Sequence, residues 1–304
     1  MENEKILVIL GIVFFVFIGF FVMLLLVMGG LDMGMAGERI AVIDLRGSIS
    51  DSGGTFSDTV SSASINDLFD KVGEEPSVKG VILNIDSGGG GVVESKDIAR
   101  GVKKLSEKKP VVSYIRSVGA SGAYYIASAS DLIIADEDSI VGSIGVISTY
   151  FVYKDLFQEK LGINATVIKS GRFKDMGSPY RSMTEEEEER LQEIVDKVHQ
   201  EFIDEIKANR GLSTASLRQV AEGGIYLGSE ALQLGLVDEL GGFENAFERV
   251  KQLANAPRAE LYYMSDEDVL PGLLDLSYSA GRGVGDSLKE SLDASQFNKD
   301  NLEY

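Results

Sequence analysis

Ser121 stands in Gly119-Ala120-Ser121-Gly122-Ala123, crowded by residues almost without side chains. Such crowding serves either tight packing or the close approach of a substrate carbonyl to the hydroxyl and the nearby backbone N–H groups. At a strand-to-helix junction, the N–H of Gly122 would point at the oxygen of a carbonyl under attack. A hydroxyl nucleophile also needs a group to take its proton. The chain has one histidine, His199, and no cysteine. His199 falls beside the apolar stripe of a charged helix, away from any glycine-rich segment, and reads as a surface or boundary residue. Lysine is then the base that a serine can use, a known variant of triad logic. It works only when neutral, and bringing its pKa from about 10.4 towards about 7 takes roughly 4–5 kcal/mol of differential desolvation. Lys169 and Lys174, in Lys169-Ser170-Gly171-Arg172-Phe173-Lys174-Asp175, are both candidates.

A second constellation follows Asn84-Ile85-Asp86-Ser87. Gly88, Gly89, Gly90 and Gly91 separate that apolar run from Val92-Val93-Glu94-Ser95, leaving backbone N–H groups that no side chain shields. The stretch lacks the Lys-Ser/Thr ending of a phosphate loop and the spacing of a dinucleotide fingerprint. It suits a donor to a developing oxyanion, with a plain tight turn as the alternative.

These residues need a scaffold, and the hydropathy pattern supplies one. Residues 39–43, 80–85, 111–115, 132–135, 143–147 and 166–168 read as strands; residues 65–72, 94–107 and 154–161 read as helices. Alternation of this kind predicts an α/β domain with a helix-covered sheet. The acidic run Thr184-Glu185-Glu186-Glu187-Glu188-Glu189-Arg190 reads as the capped start of a helix, its carboxylates favourable beside the positive end of the helix dipole. Leu191, Ile194, Val195, Val198, Phe202, Ile203 and Ile206 then form one apolar stripe.

Composition narrows the chemistry further. The 304 residues carry a net charge of −19, which repels nucleic acid. Without cysteine there are no disulfides or thiolate metal sites, and zinc would have to rest on His199 and carboxylates with no paired-histidine motif. Neither a metal nor a cofactor is expected. Residues 6–28 hold only apolar side chains and two glycines. As a helix they would be about 34 Å long, enough for a bilayer core of roughly 30 Å. An uncleaved anchor is favoured over a cleaved signal peptide, for which Gly34-Met35-Ala36-Gly37 would be the cleavage site. The expected organisation is an anchor over 1–29, a linker over 30–37, an α/β domain over 38–255 and a partly flexible C-terminal extension over 256–304. The short N-terminal flank places the bulk of the chain outside the cytoplasm, in a single-pass cell-membrane protein.

Taken together and in order, GASGAYYIA at 119–127, VGSIGVI at 141–147, SGRFKDMGSP at 170–179 and GLVDELGGFENA at 235–246 resemble the short form of signal peptide peptidase A. That family comprises Ser/Lys membrane proteases related in fold to Clp protease and crotonase, and the resemblance covers about residues 38–255. It implies Ser121 as nucleophile, Lys174 rather than Lys169 as general base, and Ser143 as a serine that orients the lysine. From its position alone, a strand-end serine satisfying backbone is the alternative reading of Ser143. The resemblance also implies an oxyanion hole from Gly122 with Gly89 or Gly90, and a homo-oligomeric ring whose neighbouring subunits share each dyad. Gly88 stands where the family has a proline, which loosens the turn in the free chain. The expected activity is endoproteolysis of apolar peptides such as signal-peptide remnants, bound extended with side chains near Val92 and Val93. Two other readings share these residues: a non-hydrolytic, membrane-anchored crotonase-like binding module, and an esterase using the same dyad.

Overall fold

A computed structural model describes residues 17, 18, 20, 37–51 and 59–264. The chain divides into two units, Met1–Glu38 and Arg39–Tyr304. Of the expected span over 6–28, only Phe17, Ile18 and Phe20 are among the described residues, and all three are helical. Among the described residues no helix is long and apolar enough to cross a membrane. Most of the expected C-terminal extension, from 265 onwards, also lies outside the described residues.

The second unit is a parallel sheet covered by helices on both faces. Its central strands are β1 (Arg39–Arg46), β4 (Val78–Ser87) and β5 (Val111–Ala120), with β6 (Leu132–Ala135) and β9 (Glu239–Leu240) to one side. On the other side β10 (Glu260–Met264) pairs in parallel with β1, so the sheet continues past the expected domain boundary at 255. A short β7 (Ile140–Gly142) pairs in parallel with the end of β5 and antiparallel with β8 (Ile225–Leu227). The short β2 (Ser48–Ile49) and β3 (Thr59–Val60) form a separate ribbon. β4 and β5 are near-continuous apolar runs because both of their faces are covered, as a parallel sheet requires.

One face carries α1 (Ser62–Glu74), α2 (Val92–Ser106), α3 (Gly122–Ala127) and part of α4 (Glu185–Arg210), with Ile65, Phe69, Ile98, Val102, Tyr124 and Phe202 in its core. The opposite face is closed by α7 (Phe243–Leu253) through Ala246 and Val250, packed on Val42, Ile82 and Val112. Two shorter helices, α5 (Thr214–Val220) and α6 (Gly228–Leu234), complete the unit. The glutamate run behaves as its charges require. Thr184 caps α4 by accepting from the Glu187 N–H, while the Glu187 carboxylate accepts from the Thr184 N–H.

Two expected strands do not form. The run 143–147 follows β7 rather than composing it, because Gly142 and Ser143 both take positive φ and turn the chain off the sheet. Residues 166–168 have no strand partner, and Ile168 is 96% exposed. The helical turn at Leu156–Lys160 is π-helical.

Candidate active site

The site forms where β4 and β5 end side by side. Ser121 directly follows β5 and is the N-cap of α3, with φ 52° and ψ −123°. A positive φ at a residue with a side chain costs of the order of 1–3 kcal/mol and survives only where surroundings impose it. Here the Ser121 N–H donates to the Gly142 carbonyl at 2.8 Å, and its carbonyl accepts from the Tyr125 N–H at 2.9 Å. Behind it, fully buried Tyr124 donates its phenol to the Leu236 carbonyl at 2.8 Å, which ties α3 to the loop before β9.

The glycine turn lies directly against this corner. Gly89 has φ +94°, and a β-carbon there would sit 2.6 Å from Gly122 N and 2.9 Å from Ser121 Cβ. A β-carbon on Gly122 would meet Ser95 Oγ at 2.2 Å and Gly90 N at 3.4 Å. Only residues without side chains fit so closely. The Gly89 N–H already donates to Ser87 Oγ at 3.1 Å, and the Gly91 N–H donates to the Ile49 carbonyl at 2.9 Å. Among the described residues the N–H groups of Gly90 and Gly122 have no such partner, and they lie close together.

A cleft of about 650 Å³ opens over these groups. Its lining includes Ser121, Gly122, Gly88, Gly90, Val92 and Ser143. Val93 is not part of it: successive residues in a helix point about 100° apart, and Val93 is turned to solvent at 67% exposure. Ser143 sits just past β7 with φ 52°, its N–H donating to the Gly224 carbonyl at 2.7 Å. Its hydroxyl satisfies no backbone group among the described residues. Tyr125, Val195, Val198 and Phe202 supply apolar wall that the expectations did not include. Tyr125 and Phe202 meet edge to face at 5.1 Å, and burial pushes the Tyr125 phenol up to about 12, so it stays neutral.

His199 is half-buried, as its boundary position on the helix suggested, and lines the same cleft as Ser121. Its Nε2 lies 3.2 Å from the Ile144 carbonyl. A carbonyl only accepts, so Nε2 carries the hydrogen and is not available there as a base.

Lys174 is exposed and does not line the cleft. It belongs to residues 146–183, which pair with no strand of the sheet and expose large apolar side chains, Ile147 at 90% and Phe151 at 65% among them. A single chain therefore brings Ser121, Gly122, Gly90 and Ser143 together and leaves Lys174 elsewhere. Lys169 pairs with Asp175, the residue next to Lys174.

A helix-covered parallel sheet that presents a strained serine and open backbone donors at one cleft has the make-up of a hydrolase of acyl groups. Residues 103–257 match the model of peptidase family S49. A provisionally named protease of Methanocaldococcus jannaschii is 39% identical over 94% of this chain and 94% of its own. A chloroplastic serine protease, SPPA, of Arabidopsis thaliana is 34% identical over 86% of this chain but only 40% of its own. Among solved structures, a mutant membrane-bound stomatin-specific protease aligns with 76% of this chain and 99% of its own, at TM-score 0.48 and 15% identity. The chain belongs to peptidase family S49, in keeping with its resemblance to signal peptide peptidase A.

Proposed function

We propose that the protein is a serine endopeptidase with a Ser121/Lys174 dyad, anchored in the cell membrane by residues 6–28, its catalytic unit outside the cytoplasm. Its substrates are apolar peptides such as signal-peptide remnants, and its fold is of the Clp protease and crotonase type. The observation that carries this reading is the strained backbone of Ser121 beside the two open N–H groups of Gly122 and Gly90.

The chemistry follows from the parts. A neutral Lys174 amine takes the proton from Ser121 Oγ as the oxygen attacks the scissile carbonyl carbon. The carbonyl oxygen gains the negative charge, and the N–H groups of Gly122 and Gly90 donate to it. Of the two expected glycines, Gly90 is the donor, because the Gly89 N–H is engaged by Ser87 Oγ. Lys174 returns its proton to the leaving amine, the C–N bond breaks, and an ester joins the acyl group to Ser121. Water then loses a proton to Lys174 as it attacks the ester carbonyl, Lys174 passes that proton to Ser121 Oγ as the C–O bond breaks, and the acid leaves with the hydroxyl and the neutral amine restored. Ser143, its hydroxyl on the same cleft, orients the lysine. The apolar wall of Tyr125, Val198, Phe202 and Val92 takes small or apolar side chains of an extended substrate.

Lys174 reaches this cleft from a neighbouring subunit. An exposed apolar segment that also bears the base is what a heterologous ring contact would cover. The test is Ser121→Ala and Lys174→Ala on a synthetic signal peptide. Each should lower kcat/KM at least about a thousandfold, whereas full activity in either ends the dyad.

A further inference from the structure

Arg181 lies between two carboxylates and binds both as a fork. On one side its Nε donates to Asp175 Oδ2 at 2.8 Å and its Nη2 to Asp175 Oδ1 at 2.7 Å. On the other, Nη1 donates to Glu187 Oε2 at 2.7 Å and Nη2 to Glu187 Oε1 at 2.5 Å. Glu187 is the buried acid of the α4 capping box, so Arg181 ties the segment bearing Lys174 to the first turn of that helix. Later turns of α4 line the Ser121 cleft.

The charges around Lys174 are arranged as well. Asp175, the next residue, is held by Lys169 and Arg181; Glu186 is held by Arg172; Glu187 is held by Arg181. Lys169 and Arg181 balance Asp175 and Glu187, so this cluster is neutral as a whole. Lys174 makes no ion pair among the described residues. Without Arg181, Asp175 keeps only Lys169 as its partner, and more of its charge, one residue away, becomes available to hold Lys174 as an ammonium.

We infer that Arg181 is a positioning residue for Lys174: by gripping Asp175 it fixes the Lys174 segment to α4 and keeps the adjacent carboxylate from stabilising the protonated amine. This rests on Lys174 being the base. Nothing in it requires Arg181 to touch substrate.

The test is the pH dependence of kcat/KM on a peptide substrate, measured with the full chain for Arg181→Gln, Arg181→Lys and the double variant Arg181→Gln/Asp175→Asn. Activity should rise towards alkaline pH as Lys174 loses its proton, and Arg181→Gln should move the midpoint of that rise upward by about one pH unit, with about tenfold less activity below it. Removing the Asp175 carboxylate in the double variant should bring the midpoint back to that of the parent. Arg181→Lys keeps the charge but loses the fork and should fall between them. A purely structural role would lower activity at every pH and give no such reversal. An unmoved midpoint in Arg181→Gln, or a double variant that stays shifted, overturns the inference. Where Arg181→Gln does not fold, Arg181→Lys is read in its place, and an unmoved midpoint there is equally fatal. Lys174→Ala separates the two levels: if it is fully active both the dyad and this inference fail, and if it is inactive while the midpoints stay put only the inference fails.

Discussion

The Ser121 N–H donates to the Gly142 carbonyl at 2.8 Å, extending the register in which Ala120 lies opposite Gly142. The residue after each partner, Ser121 on one chain segment and Ser143 on the other, has φ 52°. Two serines thus leave adjacent parallel strands at one level, both into the same cleft.

The backbone at Ser121 should be under strain that a glycine would relieve. Ser121→Gly is expected to unfold about 1 kcal/mol later than the parent while losing activity, whereas Ser121→Ala, which keeps the β-carbon, loses activity without that gain. Thermal unfolding of the two variants decides it, and equal midpoints would contradict the strain.

Gly89 and Gly91 should answer differently to the same change. Alanine at 89 would press on Gly122 N at 2.6 Å from a φ of +94°, so a loss of about 1–3 kcal/mol together with activity is expected. At Gly91 the obstacle is the Glu94 carboxylate, a flexible end that can swing aside, and φ is −61°. Gly91→Ala should stay within about 0.5 kcal/mol of the parent in denaturant unfolding.

The ion cluster makes the Lys174 segment acid-sensitive. Hydrogen bonds from Arg181 hold Glu187 down at about 2, and those from Arg181 and Lys169 hold Asp175 below the usual carboxylate range. A depressed carboxylate stabilises the fold above its unfolded pKa and loses that contribution as pH falls through the folded one. Protection of the segment against limited proteolysis or hydrogen exchange should therefore fade between about 4.5 and about 2. Glu187→Gln should show weaker protection at neutral pH and a flatter acid response.

If the dyad is shared between neighbours, two dead chains should rescue each other. Mixing Ser121→Ala with Lys174→Ala chains before assembly should restore about a quarter of parental activity, the chance that an intact serine faces an intact lysine in a heterologous ring. No recovery in co-assembled chains would place both groups in one subunit.

His199 offers a control on the choice of base. Its Nε2 is committed to the Ile144 carbonyl, so His199→Gln, which can keep a donor there, should retain activity within about tenfold. A loss as deep as that of Lys174→Ala would move the base to the histidine.

Much of this site was legible in the residues because its parts are short and local. Four glycines after an apolar run and a serine among small residues mark strand ends where backbone must come close to backbone, and the buried parallel strands β4 and β5 advertise themselves as near-continuous apolar stretches. The apolar runs at 143–147 and 166–168 misled for the opposite reason. Apolar alternation reports that a surface is to be covered, not that the same chain covers it, and Ile147 and Ile168 remain exposed. The cleft lining from α4 was also hidden, since Val195, Val198 and Phe202 read simply as one stripe of a long helix. β10 was missed because its Leu261-Tyr262-Tyr263 lies past a helix end and a proline that look like the close of a domain.

The exposed position of Lys174, outside the cleft of its own chain, bears on the life of a newly made molecule under the proposed assignment. Until siblings gather, each copy holds an attacking oxygen with nothing to deprotonate it. Its birth on the ribosome then poses no hazard to other nascent polypeptides, and hydrolysis switches on with crowding, with no need for a removable propeptide.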